Sequence, residues 1–231
     1  MLLIIPYRVD VPMYRWPWMN WVLIGITIAL YPLCGADTDY AGYRVLLVLG
    51  EGRFGLIGHV LVHADWIHLL GNMYFLWLFG NAVCAKVGNG VYVLIYFTLG
   101  IVAGIAALVT GFIPSVGASG AINGIVGMFL VWFLLNEVDV FYVFFFEGGF
   151  FSVSSGWLIL FWTVFDIWGL IQGGDHINYV AHLAGLVAGI GLAIALLKLN
   201  WVKMERGERS LLQVLWDWED KQGEGWNRRR S

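Results

Sequence analysis

Charged side chains are scarce in this sequence. Only 13% of its 231 residues are Asp, Glu, Lys or Arg, about half of the roughly 25% that is usual in soluble globular domains. The hydrophobic fraction is 60% and the mean hydropathy is +0.76. This composition excludes an ordinary soluble domain and indicates a chain that crosses a membrane several times. Basic residues do not exceed acidic ones, 13 against 16, so we expect no nucleic-acid partner.

Cysteine is also rare, with only Cys34 and Cys84 in the chain. Each lies at the C-terminal end of one of two consecutive apolar stretches. Because consecutive spans run in opposite directions, the two thiols are placed on opposite faces of the bilayer, and we expect no disulfide between them. Internal repeats and Gly/Pro-rich linkers are absent as well, so nothing divides the chain into separate repeating units.

Six apolar stretches approach the length of about 20 residues that a transmembrane helix needs. We predict spans at roughly residues 17–35, 66–83, 91–111, 118–135, 156–172 and 179–197. The predicted fold class is therefore an all-α polytopic membrane protein with a six-transmembrane-helix bundle. In this interpretation residues 1–16 form an N-terminal tail, residues 17–198 the membrane domain and residues 199–231 a C-terminal tail.

An even number of spans places both termini on one side of the membrane. Eleven of the thirteen Lys and Arg residues fall on that side, and only Arg44 and Arg53 fall on the other. Because basic residues favour the cytoplasmic side, we expect both termini to be cytoplasmic. A compact core of six spans with short tails is typical of a bacterial protein, which would place it in the inner membrane.

Two longer connections, residues 36–65 and 136–155, hold many aromatic residues and few charges. This composition suits segments that lie in the membrane interface rather than loops in water. In the C-terminal tail Ser210 and Gln213 have the spacing of a capping box. A short amphipathic helix on the inner leaflet and a simple polar tail are equally compatible with that pattern.

The stretch "IPSVGASGAINGIVGMF", residues 113–129, places Ser119 among glycines at the start of the fourth span. A nucleophilic serine needs a base, a site for the oxyanion and an exposed backbone. Gly117 and Gly120 permit a tight entry to the helix and leave room for a substrate backbone. The start of a helix also presents free N–H groups. Taken alone, a serine that caps the helix is the simpler interpretation.

The histidines favour the catalytic alternative. His182 begins the sixth span in "NYVAHLAGLVAGIGLA", with Gly185 and Gly189 on the same helix face. The fourth span has its own stripe of small residues, at Gly120, Gly124 and Gly127. If the stripes pack together, as small residues allow, Ser119 and His182 lie at the same depth. They would then form a dyad in which His182 acts as general base and afterwards as general acid.

The second span carries two polar side chains near the same end of the bundle. Asp65 is a good N-cap for a helix that starts at Trp66. On that helix His68 and Asn72 are four residues apart and project from one face. Both can donate a hydrogen bond, so we predict that they stabilise an oxyanion, where one donor typically contributes about 10²–10³ in rate.

A metal site is the rival interpretation of the histidines, because His59 and His63 are four residues apart and His68 follows. Zinc peptidases with such spacing carry a glutamate beside the first histidine, and Val60 stands there instead. We therefore expect no metal and no cofactor. His59 and His63 are interpreted as structural histidines bonded to backbone, and His176, in "GGDHIN", as an exposed loop residue.

The segments "HVLVHADWIHLLGNM", "GASGAINGIVG" and "AHLAGLVAG" resemble, in the same order, the three signature blocks of the rhomboid intramembrane serine proteases. The resemblance covers roughly residues 20–198. It implies a six-helix bundle with a water-filled cavity that opens outward. In that bundle Ser119 is the nucleophile, His182 is the base, and His68 and Asn72 line the oxyanion hole. It also implies that the substrates are transmembrane helices, cut after local unwinding.

The sequence departs from the family pattern at several positions. Known members carry an aromatic residue four positions after the serine, stacked on the catalytic histidine, and here that position is Asn123. An acidic residue often follows the "FG" of the second span, where this chain has Cys84. Asp166 is the one carboxylate well inside a predicted span, which makes it a functional hypothesis. The sequence alone assigns it no catalytic role.

Two functions of different class stay open. One is an active intramembrane serine endopeptidase that cleaves single-pass or other transmembrane proteins among membrane lipids. The other is an inactive rhomboid-like protein that binds transmembrane clients. The joint presence of Ser119, His182, His68 and Asn72 favours the enzyme, because a pure binder needs none of them. A transporter is a weaker third, since no pair of broken-helix repeats is visible.

Overall fold

The computed structural model describes residues 2–34, 47–111, 114–145, 147–173, 177–205 and 208–217. Its long helices each overlap one predicted span: α1 (Trp18–Cys34), α2 (Trp66–Val87), α3 (Asn89–Val109), α4 (Ser119–Phe133), α5 (Ser155–Gln172) and α6 (Tyr179–Lys198). Within the described ranges, four helices are long and apolar enough to cross a membrane, namely α2, α3, α5 and α6. The other two are apolar but shorter, 17 residues in α1 and 15 in α4.

Helix α4 forms the centre of the bundle. Most of its side chains are buried, and Trp132, Phe129 and Ile125 are inaccessible to solvent. A helix that is apolar on every side is stable only when it is surrounded by other elements.

The α4 and α6 backbones are in direct contact through the predicted stripes of small residues. A Cβ atom at Gly189 would lie 1.8 Å from the carbonyl oxygen of Gly124, and one at Gly185 would lie 2.0 Å from that of Gly120. Neither position has room for any side chain. The predicted packing of the two stripes is confirmed, and it brings the N-terminal ends of α4 and α6 together.

Helix α2 is interrupted by a π-helical turn at Leu76–Gly80. A buried polar network lies at this turn. The Asn20 amide donates to the carbonyl of Leu76 and to Asn81 Oδ1, both at 2.9 Å, and the Tyr92 hydroxyl donates to Asn20 Oδ1 at 2.6 Å. These bonds connect α1, α2 and α3 inside an apolar core, where an unpaired amide would be costly.

A three-stranded antiparallel sheet, which the sequence analysis did not predict, lies beside the helices. Its strands are β1 (Leu2–Val9), β2 (Glu137–Phe144) and β3 (Glu147–Ser154), in the order β1, β2, β3. The all-α class is therefore wrong for this part of the chain, and the protein is mostly helical with one added sheet. The predicted N-terminal tail and the connection 136–155 supply its strands.

Residue alternation explains the sheet. Val138 and Val140 on β2 are buried, whereas Asp139 between them lies on the opposite face. Asp139 accepts hydrogen bonds from Arg8 of β1 at 2.6 Å and from Ser152 of β3 at 2.7 Å. A search for apolar runs of transmembrane length does not detect eight-residue strands, whose pairing partners are distant in sequence.

The C-terminal segment packs against the end of α2. Residues 211–217 are helical, and Ser210 and Gln213 exchange the reciprocal bonds of a capping box, so that prediction is confirmed. Just before this helix, Glu208 forms a buried ion pair with Lys86 near the C-terminal end of α2. Cys34 and Cys84 are buried free thiols, as the sequence analysis expected.

We predict that Gly189→Ala destabilises the protein, because its methyl group would overlap the Gly124 carbonyl. Overpacking of this kind typically costs about 1–3 kcal/mol. Gly191 on the same helix has no neighbouring atom within 4 Å, so Gly191→Ala is the matched control. It should be neutral or slightly stabilising, since alanine is the better helix former. The measurement is the melting temperature in a mild detergent, and equal values for the two variants would contradict the packing argument.

Candidate active site

Two adjoining cavities lie at the N-terminal ends of α4 and α6, with volumes of about 670 and 330 Å³. The walls of both include the four residues predicted as a site: His68, Asn72, Ser119 and His182. The larger cavity is bounded by the loops before α4 and α6. The smaller one extends between α2 and α5, where Phe75 and Trp162 form part of its wall.

Ser119 is the first residue of α4 and is only partly buried. Ala118 occupies the N-cap position without a side-chain hydrogen bond, so the interpretation of Ser119 as a helix-capping serine is not supported. Within the described part of the chain, the Ser119 hydroxyl makes no hydrogen bond. It is therefore available to a group or substrate in the cavity.

The backbone before Ser119 depends on Gly117, which has a φ of +120°. That conformation is strained for any residue with a side chain. A Cβ atom there would also lie 2.6 Å from Cε1 of His68. The Gly117 N–H donates to the carbonyl of His59 at 2.9 Å. The loop thus brings its backbone directly against the side chain of α2 that is predicted to bind the oxyanion.

His68 and Asn72 lie on one face of α2, as predicted. Asp65 caps this helix by accepting the His68 N–H at 2.8 Å. The side chain of Asn72 is buried, and its Nδ2 has no hydrogen-bond partner in the described structure. A buried amide donor without an acceptor is uncommon. This donor lies on the cavity wall, where a substrate oxygen could accept from it.

His182 lies in the first turn of α6, which begins after the N-cap Asn178. Its Nδ1 is 3.2 Å from Oδ1 of Asp166 on α5. The ring also meets the edge of Tyr179, with the ring centroids 6.2 Å apart. The Asn123 amide donates to the carbonyl of Ser119 at 3.0 Å, and among the described residues no hydrogen bond joins Asn123 to the ring.

Sequence reasoning left three places open for Asp166, near His182, facing the cavity or at an interface, and the structure brings it to His182. The available signal was a lone carboxylate inside an apolar span, which marks a functional hypothesis but not its partner. The two residues lie on different helices, and the chain that connects these helices has no pattern that fixes their relative rotation. Only the packing of α5 on α6 brings the two groups together.

His59 and His63 support the active-site loop, as the structural interpretation predicted. His59 Nδ1 lies 2.8 Å from the carbonyl of Gly55. His63 Nε2 accepts a long hydrogen bond, 3.5 Å, from the N–H of Ala118. Burial, together with the charge of His68, lowers the pKa of His63 to about 3. The ring is therefore neutral at pH 7, which leaves Nε2 free to accept.

The described residues contain no group of three or more His, Cys, Asp or Glu side chains that could hold a metal ion. His176, predicted as an exposed loop residue, lies outside the described residues. The arrangement combines an unbonded serine hydroxyl, an imidazole with a neighbouring carboxylate, and an amide donor without a partner. Together these groups are suited to acyl transfer.

The fold and the site define an integral membrane protein with a serine and a histidine on one cavity wall. A family model described as "Rhomboid domain" matches residues 51–199. The chain belongs to the rhomboid family.

Similar proteins carry the same family name. Over 189 residues the chain is 28% identical to the rhomboid protease GluP of Bacillus subtilis, covering 78% of this chain and 35% of that protein. Over 142 residues it is 31% identical to the rhomboid protease GlpG of Klebsiella pneumoniae, covering 58% of this chain and 45% of that protein. The putative rhomboid protease YdcA of Bacillus subtilis is 32% identical over 154 residues, 66% of this chain and 71% of that protein. The chain thus spans less than half the length of the first two relatives.

We predict that acid destabilises the protein through His63. The unfolded chain binds a proton near pH 6.5, whereas the folded chain does so only near pH 3. Stability is therefore lost as the pH falls from 6.5 towards 3, by about 2 kcal/mol at pH 5. His63→Gln keeps an acceptor but does not titrate, so its melting temperature should fall less between pH 7 and pH 5. An identical fall in both proteins would show that His63 does not cause the effect.

Proposed function

We propose that this protein is an intramembrane serine endopeptidase that cleaves transmembrane segments of other membrane proteins. The observation that supports this most is the joint position of Ser119, His182, His68 and Asn72 on the walls of two adjoining cavities. The names of the relatives, rhomboid proteases, point in the same direction. The rest of the mechanism follows from the chemistry of these side chains.

Ser119 attacks the carbonyl carbon of the scissile peptide, and His182 takes the hydroxyl proton. His182 then gives that proton to the leaving amine, which frees the new N-terminus. Water then attacks the acyl-enzyme, and His182 takes a proton from it. The ester bond to Ser119 breaks, and His182 returns the proton to the Ser119 oxygen, which releases the new carboxyl end. The bond between Ser119 and His182 forms when substrate is bound, since catalytic hydrogen bonds commonly tighten only in that complex.

The negative oxygen of each tetrahedral intermediate is stabilised by His68 and Asn72. Asn72 Nδ2 is already desolvated and has no acceptor to release, so it loses no existing bond when the oxyanion forms. The N–H groups at the start of α4 add to the same stabilisation. His68 and Asn72 thereby present two hydrogen-bond donors from one face of α2 to the substrate oxygen that becomes negatively charged.

The class of substrate follows from the cavity between α2 and α5. Its wall includes Phe75, Ile159 and Trp162, an apolar lining that suits a segment arriving from lipid. A helical segment must release backbone hydrogen bonds before its carbonyl can reach Ser119. Substrates with glycine or proline near the cut site lose less helix stability, and we expect them to be preferred.

The topology belongs to the same proposal. The six helices α1 to α6 would all cross the membrane, including the two shorter ones, with both termini in the cytoplasm. The site then faces the outer half of the bilayer. A bacterial inner membrane is the proposed location, with transmembrane proteins and membrane lipids as partners.

An inactive rhomboid-like protein that binds transmembrane clients is the alternative function. It would use the same apolar cavity between α2 and α5. It would have no need for an unbonded serine hydroxyl or for a buried amide donor without a partner. Those two features favour the enzyme.

We predict that a fluorophosphonate probe labels the purified wild-type protein in mild detergent and does not label Ser119→Ala or His182→Ala. Asn72→Ala should label on the order of 10²–10³ times more slowly, because one oxyanion donor is lost. Ser152→Ala is the matched control, since that hydroxyl bonds Asp139 on the sheet. It should label at the wild-type rate. The measurement is the labelling rate by in-gel fluorescence.

The labelling experiment separates the two functions. Labelling that requires both Ser119 and His182 supports the enzyme, and the search moves to transmembrane substrates. If wild type stays unlabelled while an active rhomboid protease labels in the same detergent, the dyad is not formed. The client-binding function would then be favoured.

A further inference from the structure

The proposed mechanism requires a defined orientation of the His182 ring. Its ring must present Nε2 to Ser119, and neutral imidazole has two tautomers. The aromatic residue that stacks on the histidine in known members of the family is replaced here by Asn123. The Asn123 amide donates to the Ser119 carbonyl, and no hydrogen bond joins Asn123 to the His182 ring among the described residues.

Asp166 is the side chain at hydrogen-bond distance from the ring. Its Oδ1 lies 3.2 Å from Nδ1 of His182. Among the described residues, no other side chain or backbone group is hydrogen-bonded to that ring. A carboxylate accepts but does not donate, so this contact requires Nδ1 to carry the proton. Nε2 is then unprotonated and can receive the proton of the Ser119 hydroxyl.

The helix that carries Asp166 is loosely packed. Of the residues in α5, only Ser155 and Ile159, both in its N-terminal part, are buried. Near the site, α5 contacts α6 where Gly169 lies against the ring of Tyr179. A Cβ atom at Gly169 would lie 2.2 Å from that ring. The separation between the carboxylate and the ring therefore depends on whether α5 lies against α6.

We propose that Asp166 is the positioning residue for His182, and that the site is complete only when α5 packs on α6. This inference rests on the proposed function. Asp166 touches neither the substrate nor the reacting atoms. It selects the tautomer of His182, and it stabilises the imidazolium that forms when Ser119 loses its proton. Because α5 also borders the cavity between α2 and α5, a shift of α5 that widens this cavity moves the carboxylate away from the ring.

The effect on rate should be intermediate in size. The buried Asp in the Ser-His-Asp triad of a soluble serine protease contributes a factor of about 10⁴ to the rate. The side chain of Asp166 is 20% exposed, so part of its field is screened by solvent. We expect Asp166→Asn to slow fluorophosphonate labelling on the order of 10²-fold, because an amide no longer selects the tautomer.

The experiment compares wild type, Asp166→Asn and Asp166→Glu by labelling rate, melting temperature and proton NMR of ¹⁵N-histidine-labelled protein in detergent. Leu160→Ala is the matched control, because Leu160 lies on α5, is exposed and lines neither cavity. The NMR signal is the downfield Nδ1–H resonance of His182, which is identified by its absence in His182→Ala.

We expect Asp166→Asn to lose the downfield resonance and label slowly at an unchanged melting temperature. Asp166→Glu should recover part of both, and Leu160→Ala should resemble wild type. Wild-type labelling rates in Asp166→Asn would overturn the inference and leave the proposed function intact. Failure of wild type itself to label would instead count against the proposed function.

The NMR resonance tests the contact between Asp166 and His182 independently of activity. A missing downfield resonance in folded wild type would overturn the inference whether or not the protein labels. If Asp166→Asn does not fold, the comparison of Asp166→Glu with Asp166→Ala decides. A folded Glu variant that shows the resonance and labels faster than a folded Asp166→Ala supports the positioning role, and equal rates for these two would overturn it.

Discussion

Direct contact between the backbones of α4 and α6 is the constraint on which the site depends. Glycines on one helix face carbonyl oxygens of the other, at Gly185 against Gly120 and at Gly189 against Gly124. Lipid offers no hydrophobic driving force for this association, so packing and close approach must supply it. As a result, residues in the first turns of α4 and α6, which are distant in sequence, lie on the wall of one cavity.

Buried polar groups in the apolar bundle are of two kinds, those bonded to one another and those without a hydrogen-bond partner in the described structure. Asn20, Asn81 and Tyr92 satisfy one another around the π-helical turn of α2. In contrast, Asn72 Nδ2 has no partner in the described structure and lies on the cavity wall. The lack of a partner does not by itself mark a group for chemistry, because His63 Nδ1 and the Tyr96 hydroxyl also have none among the described residues. The place of Asn72 on the cavity wall beside His68 is what suits it to bind an oxyanion.

The chain segment before α2 also stabilises the loop before α4. The segment with His59 and His63 bonds the loop that precedes Ser119, through the Gly117 and Ala118 N–H groups. Burial keeps His63 neutral, so that its ring accepts rather than repels the loop. Asp166 contributes from α5, the most exposed of the helices around the site. Ser119 therefore follows a loop that is bonded to the segment with His59 and His63. In contrast, the contact of His182, its proposed base, with Asp166 depends on α5, a helix with few buried side chains.

The catalytic roles of His68, Asn72, Ser119 and His182 stay a prediction. Local pattern was sufficient to locate the six apolar helices and the glycine stripes and to place these four residues near corresponding helix ends, because hydrophobic length and helical spacing act within one segment. It was not sufficient for the three-stranded sheet or for the partner of His182. Both depend on contacts between segments far apart in the chain, β1 with β2 and Asp166 with His182. Such contacts are set by how helices rotate and strands register against each other, and that is a property of the packed molecule.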